Sequence, residues 1–303
     1  MKKAILFSMV ACLFLFSCKK EHSAATKPVQ KTYQVNFTVS GSGQQLTGSA
    51  GKQQINSLKT DAQTSVAGYM DILYYYVLNS SGAVVHILQQ DSTQTNFGTI
   101  SDNLPAGNYT IIMAAGKKGL VYNNATPTGE NTAFLIYYDL VNGVTPWEDT
   151  FYTKFSLTVT NSNINQSVAL SRVVGELETK ILDTIPATAN SLVISVNKED
   201  FEIVVPDWKP YNAKVFTDSI VLTPAAKGKP NFTVDNIIGN TFAPFIVTIK
   251  CYDNTNKLIG NVVVNDVTCQ QNTRTILSGK LFGSGTGINV GLGGWKAPLN
   301  INF

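Results

Sequence analysis

The sequence predicts an all-β protein of sandwich or barrel architecture. Three observations carry that reading. Apolar and polar residues alternate with the two-residue period of half-buried strands, as at Tyr33, Val35, Phe37 and Val39. Asn, Gly, Asp and Pro recur between such segments at short spacing and mark turns. No long segment combines the helical period with capping residues. A length of 303 residues suggests about two domains.

The first element is an export signal. Met1-Lys2-Lys3 is positive, and Ala4 to Phe16 is a largely apolar run of 13 residues. A membrane-spanning helix needs about 20, so the run fits a signal-peptide core. It ends in Leu15-Phe16-Ser17-Cys18, which resembles a bacterial lipobox. Residues 1–17 are then a lipoprotein signal peptide, and Cys18 is acylated and becomes the first residue. One acyl chain binds a membrane marginally and two or more bind it durably. Bacterial lipoproteins carry two or three. Lys19-Lys20-Glu21 lacks the aspartate that would suggest inner-membrane retention, and resembles charged export tags of Bacteroidetes surface lipoproteins. The expected location is the outer membrane, lipid-anchored, at the cell surface. Residues 18–31 are polar and read as a flexible tether.

Strand signals then follow in order. Tyr33 to Ser40 alternates, and Ile72 to Leu78 returns through Ser80-Ser81-Gly82 into Ala83 to Leu88 as a hairpin. Further strands are expected at Tyr109 to Ala114, Phe134 to Leu140, Phe155 to Val159 and Val173 to Leu182. The rest are Ser191 to Val196, Phe201 to Val205, Ser219 to Leu222, Phe245 to Tyr252, Leu258 to Val264 and Thr273 to Phe282. A polar turn at residues 161–166 places the domain boundary near residue 170, giving 32–169 and 170–303. Each half is long enough to bury a core of its own.

Of four cysteines, Cys12 leaves with the signal and Cys18 is lipidated. Cys251 and Cys269 remain in an oxidising compartment. Two alternatives stay open for them, a disulfide or two buried thiols, because hairpin register does not place them opposite each other.

Little chemistry is written in the chain. Charged residues are 14%, against about 25% in typical domains. Without Lys2 and Lys3 the chain holds 21 basic and 20 acidic residues, so there is no electrostatic footprint for nucleic acid. Two histidines, His22 and His86, give no clustered metal ligands. No GxSxG elbow presents a serine, and the glycines at 283–294 lack the dinucleotide spacing. Glu148-Asp149, Glu176, Glu178 and Glu199-Asp200 read as exposed strand or turn charges. No enzymatic activity and no cofactor are expected. Tyr74-Tyr75-Tyr76 alternates faces, so one face is core and the other is packing, a sugar platform or a partner contact.

Several motifs point to a family. They are Glu148-Asp149-Thr150-Phe151-Tyr152, Leu157-Thr158-Val159, Leu170-Ser171-Arg172-Val173-Val174-Gly175 and Ile181-Leu182-Asp183-Thr184-Ile185-Pro186. Thr275-Ile276-Leu277-Ser278-Gly279-Lys280-Leu281-Phe282 fits as well. With the lipobox, these resemble the Bacteroidetes fimbrillin-associated anchor family, over most of the mature chain. The resemblance implies two tandem transthyretin-like Greek-key β-sandwiches, and a subunit of a fimbria held together by strand exchange. Its partners would be other fimbrial subunits. Two segments suit an exchanged or edge strand. One is Tyr33 to Ser40, with Tyr33, Val35, Phe37 and Val39. The other is the chain end from Ile288, where Leu299, Ile301 and Phe303 alternate with asparagines. Polymerising subunits of that family are trimmed at an arginine near the first strand. Here the two arginines are Arg172 and Arg274. A subunit that keeps Cys18 suits the base of a fibre, attaching it to the membrane and limiting its length. The alternatives are a surface glycan-binding lipoprotein and a fimbrial tip adhesin that meets a host ligand through the polar segment Gly41 to Ala67.

Overall fold

The computed structural model describes residues 30–42, 70–123, 134–138, 147–283 and 287–295. The segment expected as a signal peptide (residues 1–17), Cys18, most of the expected tether, most of Gly41 to Ala67, and Leu299, Ile301 and Phe303 lie outside the described residues.

The protein is all-β, and no helix occurs among the described residues. In chain order the strands are β1 (Thr32–Ser42), β2 (Ile72–Leu78), β3 (Val84–Asp91), β4 (Thr99–Pro105), β5 (Gly107–Gly116) and β6 (Leu120–Asn123). Next come β7 (Phe134–Tyr138), β8 (Thr150–Val159), β9 (Ile164–Arg172), β10 (Gly175–Ile181), β11 (Ala189–Val205) and β12 (Lys209–Val221). The last are β13 (Phe232–Ile238), β14 (Phe245–Asp253), β15 (Leu258–Val267), β16 (Thr273–Lys280) and β17 (Gly287–Gly294).

The first sheet has the order β3-β2-β5-β8-β9-β1-β4. Its weak joint is β8 to β9, which pair only at Phe151 with Arg172 and Tyr152 with Ser171. Around that joint the sheet folds over a core of Val35, Phe37, Tyr75, Ile111, Phe151 and Leu170. The Phe37 ring lies 5.8 Å from both Tyr75 and Phe155, so strands distant in sheet order meet face to face. That is sandwich packing, with alternate residues of each strand turned inward.

The second half stacks the sheet β13-β10-β16-β17 on the sheet β15-β14-β11-β7-β6, with β12 also paired to β11. Leu177, Ile238 and Leu277 face Leu192, Ile194, Val247 and Ile249 in its core. β11 is long enough to do two jobs. Its first part pairs with β14, and its last part, Ile203–Val205, pairs with β7. A register shift between Val196 and Glu199 separates the two parts. β6 and β7 precede residue 170 in the chain, yet they join a sheet whose other strands follow it.

A third core fills the space between. Tyr74, Tyr76, Ile112 and Ala114 meet Leu120, Ile136, Trp147, Val173, Ile203 and Trp208. β2 is therefore buried on both faces, with Tyr75 on one side and Tyr74 and Tyr76 on the other. Tyr74 donates its hydroxyl to the Leu120 carbonyl at 3.0 Å, and the rings of Tyr76 and Tyr122 lie 4.8 Å apart. Burial of Tyr74 and Tyr76 removes them as a sugar platform and leaves packing as their role.

Candidate functional site

The first strand is the site the sequence points to. β1 directs Val35, Phe37 and Val39 into the core, all buried, while Gln34, Asn36 and Thr38 turn outward. One edge pairs antiparallel with β4, from Thr32 opposite Pro105 to Thr38 opposite Thr99. The other pairs parallel with β9, from Val35 opposite Ile164 to Ser42 opposite Ser171. Side chains reinforce both ladders. Asn36 Nδ2 donates to Asn165 Oδ1 at 2.8 Å, and Gln34 Nε2 donates to Ser101 Oγ at 3.2 Å. The expectation of an edge strand is corrected here, since β1 is an interior strand. The physical reason is that pairing on two sides satisfies its backbone groups while its apolar row is buried.

At the other end of the chain, β17 pairs antiparallel with β16 and forms one edge of its sheet among the described residues. Val290 and Leu292 on it are 52% and 65% exposed. The structure thus separates the two predicted segments, one inside the first sheet and one at the rim of another.

Three polar clusters frame these strands. Asp102 on β4 is buried and accepts the Tyr75 hydroxyl at 3.1 Å, while His86 Nδ1 on β3 lies 2.8 Å from its carboxylate. This ties the two outer strands of the folded sheet together. Arg172, 4% exposed, forks onto Asp149 through Nε and Nη2 at 2.5 and 2.8 Å, and donates from Nη1 to Asn272 at 2.8 Å. Its guanidinium lies 4.9 Å from the Phe151 ring centre and 4.3 Å from that of Trp295. Two motifs quoted from the sequence, around Asp149 and around Arg172, meet at this fork.

The third cluster surrounds Glu199. Its Oε1 accepts the Gly239 amide at 2.5 Å and its Oε2 the Asn240 amide at 3.5 Å. Burial nonetheless pushes its pKa up to about 8, and Asp200 is pushed up to about 6 for the same reason. Gly239 is required here, because a Cβ would meet the Trp147 indole nitrogen at 2.1 Å. The expectation that Glu176, Glu178, Glu199 and Asp200 are exposed is corrected: all four are buried. Glu178 is paired with Arg274 at 3.1 Å. For Glu176 and Glu178 the sequence carried one signal, their place on either side of Leu177 in a strand-like run, whereas Glu199-Asp200 carried none.

Cys251 and Cys269 are separate buried thiols. The disulfide alternative fails on register. Cys251 opposes Gly260, whereas Val267, two residues before Cys269, opposes Phe245. Strand rise puts those positions about 20 Å apart, beyond disulfide reach. Burial pushes the thiols up to about 11 and about 12. Among the described residues no group of three or more His, Cys, Asp or Glu is placed to hold a metal ion.

No protein-family model and no curated protein matches the chain. Solved structures match its fold. A candidate adhesin from Bacteroides ovatus superposes with a TM-score of 0.54 at 9% identity, over 88% of this chain and 95% of that one. A candidate polysaccharide-binding protein from Bacteroides thetaiotaomicron gives 0.53 at 10%, over 88% and 99%. The fimbrial anchor protein Mfa2 from Porphyromonas gingivalis gives 0.51 at 10%, over 87% and 98%. At these identities the likeness is one of fold, and the chain has the fold shared by that fimbrial anchor protein, that candidate adhesin and that candidate polysaccharide-binding protein.

Proposed function

We propose that this protein is a lipid-anchored fimbrial anchor or accessory subunit of the outer membrane. It holds one end of a strand-exchanged fimbria at the cell surface and limits the fibre's length. The observation that carries the reading is the fold, shared over 87% of the chain with a fimbrial anchor protein. The placement of β1 supplies the mechanics. Cys18 carries the lipid, residues 18–31 form the tether, and β1 starts at Thr32. Tension on the fibre reaches the membrane through β1. A strand bonded to β4 on one side and β9 on the other resists such a pull by shear, in which both ladders must break together. The lack of arginine before Arg172 supports retention of Cys18 rather than trimming. Leu299, Ile301 and Phe303 then serve as the strand offered to a neighbouring subunit.

Cells fed an alkyne analogue of palmitate are expected to label the protein, and Cys18→Ala to reduce labelling to background. The protein is expected in sheared fimbriae with Cys18 as its first residue. A mature start well beyond Cys18, or absence from purified fimbriae, overturns the reading.

A further inference from the structure

The outer edge of β12 has no role in the fimbrial reading. β12 runs 13 residues, the second longest strand, and pairs with β11, while its opposite edge meets no strand among the described residues. Phe216 and Ile220 turn toward the core. Tyr211, Ala213, Val215, Thr217, Ser219 and Val221 alternate onto the outer face, where Val215 is 62% and Val221 73% exposed. Natural edges of this length are usually blunted by a bulge, a central proline or dense charge. β12 has Pro210 at its start and only Lys214 and Asp218 beyond it as charges, and the irregularity in its pairing puts the extra residue on β11, between Val196 and Glu199.

Those two charges are self-complementary. When two copies meet edge to edge about a two-fold axis through the sheet, their inner faces stay on one side, so the antiparallel register is centred on a residue. Centring on Lys214 sets lysine against lysine, and centring on Asp218 sets aspartate against aspartate. Centring on Val215 or Thr217 leaves Lys214 opposite Phe216 or Ile220. Only Phe216 as the centre puts Lys214 opposite Asp218, twice by symmetry. It also puts Val215 opposite Thr217, Ala213 opposite Ser219, and Tyr211 opposite Val221. Asn236 Nδ2 of β13 donates to Asp218 Oδ2 at 2.8 Å and steadies it.

We propose that β12 is a self-association edge, on which a second copy of this chain pairs antiparallel about Phe216 and joins two six-stranded sheets into one. Such pairing needs neither a lipid nor a fimbrial partner. The full chain in density-matched detergent is expected to sediment as a reversible dimer. Lys214→Asp sets like charges opposite each other at both sites, and is expected to weaken the dimer about tenfold or more. Combining it with Asp218→Lys restores the pairing with its sign exchanged. In chains otherwise unaltered, a mixture of the Val215→Cys and Thr217→Cys proteins is expected to oxidise to the mixed dimer faster than either protein alone. A monomer at every concentration, a dimer indifferent to Lys214→Asp, or a preference for like cysteines overturns the proposal. So does capture of a different fimbrial subunit on β12 without self-pairing.

Discussion

Replacing Glu199 by glutamine is expected to abolish most of the pH dependence of stability between pH 5 and pH 8. The carboxyl ordinarily titrates near 4.5, and in the fold it titrates near 8 because burial opposes the charged form more than two amide hydrogen bonds support it. Between those values the folded state holds a proton that the unfolded chain has released. Stability from this group is fully present below the unfolded value and is lost as pH rises through the folded one. The slope is about 1.4 kcal/mol per pH unit, and from pH 5 to pH 8 it amounts to roughly 4 kcal/mol. Asp200, raised from 3.8 to about 6, adds the same sign at lower pH. The native protein is therefore expected to be more stable at pH 5 than at pH 8. Urea unfolding of both proteins across that range measures the difference. Glu199→Gln keeps an oxygen for the Gly239 amide and cannot ionise, so the two curves diverge progressively above pH 5, with the variant the more stable at pH 8. A wild-type stability that rises with pH, or a variant that keeps the wild-type slope, contradicts this account.

Glu199 also marks where sequence reasoning ran out. In one dimension Glu199-Asp200 sits between a lysine and a phenylalanine and resembles a surface turn. It is buried because β11 shifts register there and because Gly239, far along the chain, gives room for Trp147. Neither fact has a local signature. The strands themselves were legible because side-chain alternation is local. Val35, Phe37 and Val39 face one core as their spacing required. The neighbours of β1 were not legible, because parallel pairing with β9 joins residues about 130 apart, as Asn36 to Asn165 shows. Tyr74 and Tyr76 carried half of their answer. Alternation separated them from Tyr75, but only the third core decided that their face was buried as well. β6 and β7 show the same limit, since β7 joins them to β11, which lies beyond the boundary expected at residue 170.

Arg172→Met is expected to cost about 3–5 kcal/mol, because it strips a partly buried carboxylate of its cation. In a chain of this size that lowers the melting temperature by on the order of 10 °C. Three losses coincide at one side chain. Asp149 loses a two-pronged partner, Asn272 loses a donor, and the rings of Phe151 and Trp295 lose the plate between them. Arginine stays charged in such a place, so the pair does not relax by giving up a proton. Arg172→Lys separates charge from shape. It keeps the cation but has no planar fork for Asp149 and no flat face for Trp295, so about half of the loss is expected to remain. A double-mutant cycle with Asp149→Asn isolates the pair itself, with an expected coupling of about 1–3 kcal/mol. If Arg172→Lys is as stable as the native protein, charge alone holds this junction and the stacking is incidental. If Arg172→Met is also neutral, the fork does not bind the segment before β8 to the turn before β16. The third core then has to hold the two halves together by itself.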